Sequence, residues 1–231
     1  MAAAGLLVGA ALAVPGPARL NRGLYDGISP MPPYQWARPP RELARDNRPP
    51  QPGRAVLDLD AAGRSPGSVA TGDGQCTVIF NDGAVAAAPN DRTLVVTITP
   101  LDPAAVAPPP PGMRFDGNAC RFEAVYGGSG AAPRYRRTLT LVLRYASGGT
   151  EIVRAVPGAP PAWQPLKTIR YAGHLHLLVG DIASLGTFAS VAPAGTPYVQ
   201  PVPWGVYGAA AAAAGGAIAL AMARRRRALR P

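Results

Sequence analysis

Between residues 54 and 191, apolar side chains recur at every second position in short runs separated by glycine, proline, asparagine and aspartate. That period belongs to a β-strand with one face in a core and the other in water. TLVVTITPL sets Leu94, Val96 and Ile98 against Thr93, Val95 and Thr97. RRTLTLVLRY sets Leu139, Leu141 and Leu143 against Thr138, Thr140 and Val142. AVLDLD separates Ala55, Leu57 and Leu59 from Val56, Asp58 and Asp60. CTVIF, ACRFEAVY, TEIVRAV, LKTIRYA, HLHLLVG and GTFASV read as strands too, and a short strand lies within the turn-rich AGRSPGSVATGDGQ. Roughly nine short strands, without an amphipathic helix between them, predict an all-β fold. The expected architecture over 54–198 is an antiparallel immunoglobulin-like β-sandwich, with a β-barrel as alternative.

The C-terminal end obeys a different rule. Trp204 to Ala223 is twenty residues without a charge, followed by Arg224, Arg225, Arg226 and Arg227. At about 1.5 Å rise per residue, twenty residues make a helix of about 30 Å, the thickness of a bilayer core. Trp204 and Tyr207 stand where amphipathic rings favour the membrane interface, and the arginines hold the tail, 224–231, in the cytoplasm. Residues 204–223 are therefore expected to form one C-terminal transmembrane helix, with the chain before it outside the cell membrane. Ala209 to Ala214 make the span weakly hydrophobic. The competing reading, a soluble Ala-rich helix with a basic tail, would need polar residues on one helical face, and this segment has none. Gly208, Ala212 and Gly216 form a small-residue stripe of the kind that supports helix-mediated homo-oligomers.

The N-terminal end agrees with that orientation. Ala4 to Val14 is an apolar run of eleven residues, too short to span and matched to a signal h-region. Ala11-Leu12-Ala13 gives an A-x-A cleavage pattern, although the usual basic n-region is missing. Residues 1–20 read as a signal peptide or a short hydrophobic anchor. Residues 21–53 follow as a proline-rich lead-in, extended and partly polyproline II, with Tyr34 and Trp36 as its large anchors. Those two rings either pack on the domain or meet a partner. ELARDN allows at most one short helical turn.

The chain holds two cysteines, Cys76 and Cys120. Cys76 shares a strand face with Val78 and Phe80, and Cys120 with Phe122, Ala124 and Tyr126, so both point toward a core. Two inward cysteines in an exported domain are expected to meet as a disulfide, two separate buried thiols being the alternative.

Net charge is +10, which raises nucleic acid as a partner. The placement of that charge argues against it. Arg224, Arg225, Arg226, Arg227 and Arg230 crowd the last eight residues, while 21–203 holds 17 basic and 13 acidic side chains. No basic stripe with interleaved aromatics and no nucleic-acid-binding motif is present.

Reactive constellations are sparse. His174 and His176 share a face if HLHLL is a strand, which makes them the visible metal candidates; the plainer reading is a polar strand face. Asp58, Asp60 and Asp73 could offer oxygens to calcium, without the twelve-residue calcium-loop pattern. No G-x-S-x-G turn supports a serine hydrolase. Arg134, Arg136 and Arg137 precede the strongest strand, either as a charged edge or facing an anionic polymer or lipid headgroups. No cofactor is implied.

GQCTVIFNDGAVAAAPNDRTLVVTITPLD runs strand, D-G-A-V turn, loop and T-x-T strand, and LGTFASV closes the pattern some ninety residues later. This resembles the β-sandwich modules of zonula-occludens and netrin-receptor type, with Asn81-Asp82 where such modules carry a proline. The YQW-x-x-PP lead-in is similar to that of single-pass exported membrane proteins of high-GC bacteria. The resemblance implies a non-catalytic module used for contacts or for transmitting force, and brings no site residues with it.

The expected function is a single-pass, membrane-anchored extracytoplasmic protein with a structural or interaction role at the cell surface, and no enzyme activity. Its partners would be the lipid bilayer and a protein or cell-wall polymer. One alternative is a cell-wall or carbohydrate-binding module using Tyr34, Trp36 and Trp163. Another is an unrecognised extracytoplasmic hydrolase.

Overall fold

The computed structural model describes residues 32–60, 62, 67–88, 91–158, 160–171 and 175–198. The expected signal or anchor, the span 204–223, the basic tail, His174, Trp204, Tyr207 and Arg224 to Arg227 lie outside them. Among the described residues, no helix is long and apolar enough to cross a membrane.

Among the described residues eleven strands form: β1 (Gly53–Asp58), β2 (Gly67–Ala70), β3 (Cys76–Phe80), β4 (Thr93–Leu101), β5 (Met113–Tyr126), β6 (Leu139–Arg144), β7 (Glu151–Val156), β8 (Ala162–Pro165), β9 (Thr168–Tyr171), β10 (Leu177–Ile182) and β11 (Thr187–Pro193). They make two sheets, ordered β1-β4-β5-β11-β7-β8 and β2-β3-β6-β10-β9. Every pairing is antiparallel. The arrangement is sandwich-like, and the barrel alternative is set aside because the strands divide into two sheets.

The period-two pattern sets the inner faces. Leu94, Val96 and Ile98 of β4 are buried, as are Leu139, Leu141 and Leu143 of β6. They join Val78, Phe80, Phe122, Ile152, Leu178 and Phe188 in one core drawn from both sheets. Phe122 and Phe188 meet edge to face, with centroids 5.9 Å apart. Cys76 of β3 and Cys120 of β5 are joined as a disulfide across the sheets, with Cα atoms 6.5 Å apart. In the chain-entropy model a cross-link of this loop length contributes about 4 kcal/mol.

Two strand assignments change. β5 begins at Met113, six residues before ACRFEAVY, because Asp116-Gly117-Asn118 continues the strand through a register shift opposite Ser190. β8, AWQP, pairs with β7 as a short edge where none was expected. The outer face of the first sheet has its own cover. The connection before β5 lays Ala107 over Ala119, Ala189, Val153 and Val191. The Trp163 indole Nε1 donates to the Ala107 carbonyl at 3.1 Å, and its ring meets Phe115 edge to face. Trp163 is thereby a buried strut of the fold rather than a free partner contact.

Candidate functional site

The described part of the lead-in, from Pro32 onward, folds onto the domain. Pro32 to Pro40 holds no regular element apart from a bend, and a single 3-10 turn, Arg41–Leu43, follows within ELARDN. Tyr34 and Trp36 alternate inward from this extended stretch and bury with Ala146. Their rings lie 4.9 Å apart. Of the two fates expected for these rings, packing on the domain is the one adopted.

What receives them is the shifted region of β5. The Tyr34 hydroxyl accepts from the Asn118 amide at 2.9 Å. Asn118 Oδ1 accepts from the Ala37 amide at 2.7 Å, and its Nδ2 donates to the Gln35 carbonyl at 2.7 Å. Asn47 clasps the backbone of Trp36 on both sides, its Oδ1 accepting from the amide and its Nδ2 donating to the carbonyl. Gly117 has φ +152°, and a Cβ there would lie 2.4 Å from the Tyr34 hydroxyl. Only glycine admits the ring so close to the strand.

Asp116 is fully buried beneath this junction. It accepts from Arg114 at 2.8 Å, from the Ser147 hydroxyl at 2.6 Å and from the Ser147 and Gly148 amides. Arg114 continues outward: its Nε donates to the Thr196 carbonyl at 2.7 Å, and its guanidinium covers the Tyr198 ring at 3.8 Å. On the other side, Arg144 is buried, donates to the Pro32 carbonyl and lies over the Tyr34 ring at 5.7 Å. Burial lowers the Arg144 pKa, against the pull of Tyr34 and Asp73, but an arginine remains charged. Burial also drives the Tyr34 phenol well above its usual value, so it stays neutral.

Beside the junction opens a cleft of about 270 Å³. Trp36, Phe115 and Tyr198 supply aromatic walls, with Pro39, Pro40 and Pro103 beside them. Tyr198 donates from its hydroxyl to the Phe115 carbonyl at 3.0 Å and meets Trp36 edge to face at 5.4 Å. At the rim Arg38 and Asp102 pair at 3.3 Å. The Trp36 indole nitrogen is buried without a hydrogen-bond partner. The cleft thus combines aromatic walls with one ion pair at its rim.

No protein-family model matches this chain, and no curated protein is similar to it.

Other expected sites come apart. β10 begins at Leu177, so His176 precedes the strand, with a positive φ of 49°. The shared strand face argued for His174 and His176 therefore does not extend to His176, whose ring stacks on Tyr145 at 4.8 Å. Asp73 is occupied by a turn, accepting from the Gln51 amide, the Gln75 side chain and the Thr71 hydroxyl. It stands near the start of β1, whereas Asp58 closes that strand about 17 Å further on. The calcium trio Asp58, Asp60 and Asp73 is thus dispersed. Among the described residues, no three His, Cys, Asp or Glu side chains gather as metal ligands. Arg134, Arg136 and Arg137 are all exposed.

The junction residues Asp116, Asn118, Arg114 and Ser190 were missed by sequence reasoning. No strand is expected immediately ahead of ACRFEAVY, and the partner of Asn118, Tyr34, lies 84 residues away.

Proposed function

We propose that this protein is a single-pass, membrane-anchored module whose β-sandwich stands outside the cell and makes contacts there. The observation that carries the reading is the cross-sheet disulfide, buried at both ends. Disulfides persist in oxidising compartments and are rare in the cytosol. Export agrees with the apolar run Ala4 to Val14 and with the arginines that follow the uncharged stretch 204–223. The test is a thiol trap on acid-quenched cells. Protein from the membrane fraction should take up no mass-tagged alkylator before reduction and two tags after it. Two tags before reduction would place the domain in a reducing compartment and reject the reading.

The immunoglobulin-like assignment belongs to the same proposal. Support comes from two antiparallel sheets stapled between β3 and β5, although eleven strands exceed the seven to nine of immunoglobulin domains. The likeness to zonula-occludens and netrin-receptor modules rests on the turn after β3. There the Ala84 amide donates to the Asn81 carbonyl at 2.9 Å, around Gly83 in the left-handed region. Both readings point to contact rather than catalysis.

A second reading, recognition of carbohydrate or cell-wall polymer, is favoured by the aromatic cleft at Trp36, Phe115 and Tyr198. Titration of the full chain in neutral detergent with soluble cell-wall oligosaccharides should then shift tryptophan fluorescence. An unchanged spectrum at millimolar oligosaccharide would reject it.

A further inference from the structure

The β5–β6 connection is built to present arginines. Val85 and Tyr135 form an antiparallel bridge. The Ala86 amide donates to the Arg134 carbonyl and the Arg136 amide to the Ala84 carbonyl, each at 2.8 Å. Strand alternation then fixes the side chains. Tyr135 packs against the main core, and its neighbours Arg134 and Arg136 turn to solvent on the opposite side. Arg137 reaches back over Gly83 and donates to the Asp82 carbonyl at 3.3 Å. None of the three guanidinium groups pairs with a carboxylate among the described residues. Asp82 is the one acidic residue on the facing segment 81–88. Asp91, just beyond it, is held by the Gly128 and Ser129 amides and the Ser129 hydroxyl.

This loop also has a defined place in the domain. Tyr126, the last residue of β5, bonds to Ala131 and to Ala86 beside the loop. Tyr198 bonds to Phe115, near the other end of the same strand. The strand between Phe115 and Tyr126 is about 35 Å long. The arginines therefore stand at the end of the sandwich opposite the one where the chain runs on toward residues 204–231. On the topology proposed above, that end points away from the bilayer, whose surface field is screened within about 8 Å.

We propose that Arg134, Arg136 and Arg137 form a binding surface for a polyanionic polymer outside the cell, one with repeated phosphate or carboxylate charges. The proposal rests on the topology argued above. Exposed guanidinium groups without a carboxylate partner among the described residues match such a chain through charge-assisted, two-pronged hydrogen bonds.

The test uses the full chain in neutral phosphatidylcholine nanodiscs with fluorescent inorganic polyphosphate as probe. Arg224, Arg225, Arg226, Arg227 and Arg230 are changed to Gln in every sample, so that the tail does not bind. With three charges engaged, affinity should fall roughly twenty- to forty-fold between 50 and 200 mM salt. Arg134→Gln/Arg136→Gln/Arg137→Gln should weaken binding about tenfold or more at 50 mM salt. The triple Lys variant, which keeps the charge but loses the two-pronged geometry, should bind more weakly than the parent and more tightly than the Gln variant. Equal affinity of the Gln variant and the parent, or affinity indifferent to salt, overturns the proposal. Vesicles of anionic phosphatidylglycerol form a separate arm, and capture of vesicles in preference to polyphosphate overturns the polymer as occupant. Failure here would leave the membrane topology standing, because the thiol trap uses no ligand. Polyphosphate binding by a protein whose thiols are reduced in cells would instead reject the topology, and with it the extracellular place of the polymer, while the arginine surface stands.

Discussion

The Tyr34 hydroxyl accepts a 2.9 Å hydrogen bond from the backbone amide of Asn118, 84 residues away. That bond ties the proline-rich lead-in to the strand that spans the sandwich. It makes the described part of the lead-in, from Pro32 onward, part of the fold rather than a tether.

Gly117 is the position most sensitive to this contact. Gly117→Ala places a Cβ 2.4 Å from the Tyr34 hydroxyl and 3.0 Å from the Ser190 hydroxyl oxygen, at a φ that L side chains rarely adopt. The expected cost is about 2–4 kcal/mol, from strain and expulsion of the ring. Urea unfolding monitored by tryptophan fluorescence reads it, and an unchanged midpoint would show that the ring yields freely.

Tyr34→Phe keeps the ring and deletes the acceptor. The buried Asn118 amide then lacks a partner, a loss of about 1–3 kcal/mol at neutral pH. The pH dependence has a definite sign. Burial raises the phenol pKa of Tyr34, and that of Tyr135 likewise, above the unfolded value near 10. Below pH 10 both states keep the proton. Above it the unfolded chain releases protons that the folded one retains, so stability falls as pH rises. Tyr34→Phe should flatten that alkaline decline, and Tyr34→Phe/Tyr135→Phe should flatten it further.

The cross-sheet disulfide closes a 44-residue separation. Cys76→Ala/Cys120→Ala should lower stability by about 4 kcal/mol. In a domain of this size that corresponds to a fall in Tm on the order of 10 °C. Calorimetry of the oxidised protein, the reduced protein and the double variant separates the lost cross-link from the lost side-chain volume.

Asp91 governs the opposite pH limb. The Ser129 hydroxyl, with the Ser129 and Gly128 amides, holds its carboxylate below the usual range. Its contribution is present above the unfolded pKa, near 3.9, and is lost as pH falls through the folded value. Asp91→Asn should lower stability at pH 7 and make the acid limb below about pH 4 shallower. Identical acid limbs in variant and parent would contradict the assignment.

Strand faces were legible where one side meets the core and the other meets water. Leu94, Val96 and Ile98, or Cys76, Val78 and Phe80, alternate as their burial does. Such alternation is local, so a single sequence carries it. The order of strands is set by which edges meet, and no short window encodes that. Asp116-Gly117-Asn118 shows no alternation of apolar and polar residues, so no strand is legible there. Its extended path is held from outside by Tyr34 and Ser190, which lie far away in sequence. His176 misled for the converse reason: alternation in HLHLL continues in letters past the point where the strand begins. The aromatic cleft had no signature, since Trp36, Phe115 and Tyr198 come from three separate segments.

The most direct measurement of the central claim is topology in intact cells, with an epitope tag after Pro231 and protease added outside. The account predicts a tagged fragment of a few kilodaltons, pelleting with membranes, while the sandwich is digested. Full-length protein that resists external protease and stays in a detergent-free high-speed supernatant would contradict it.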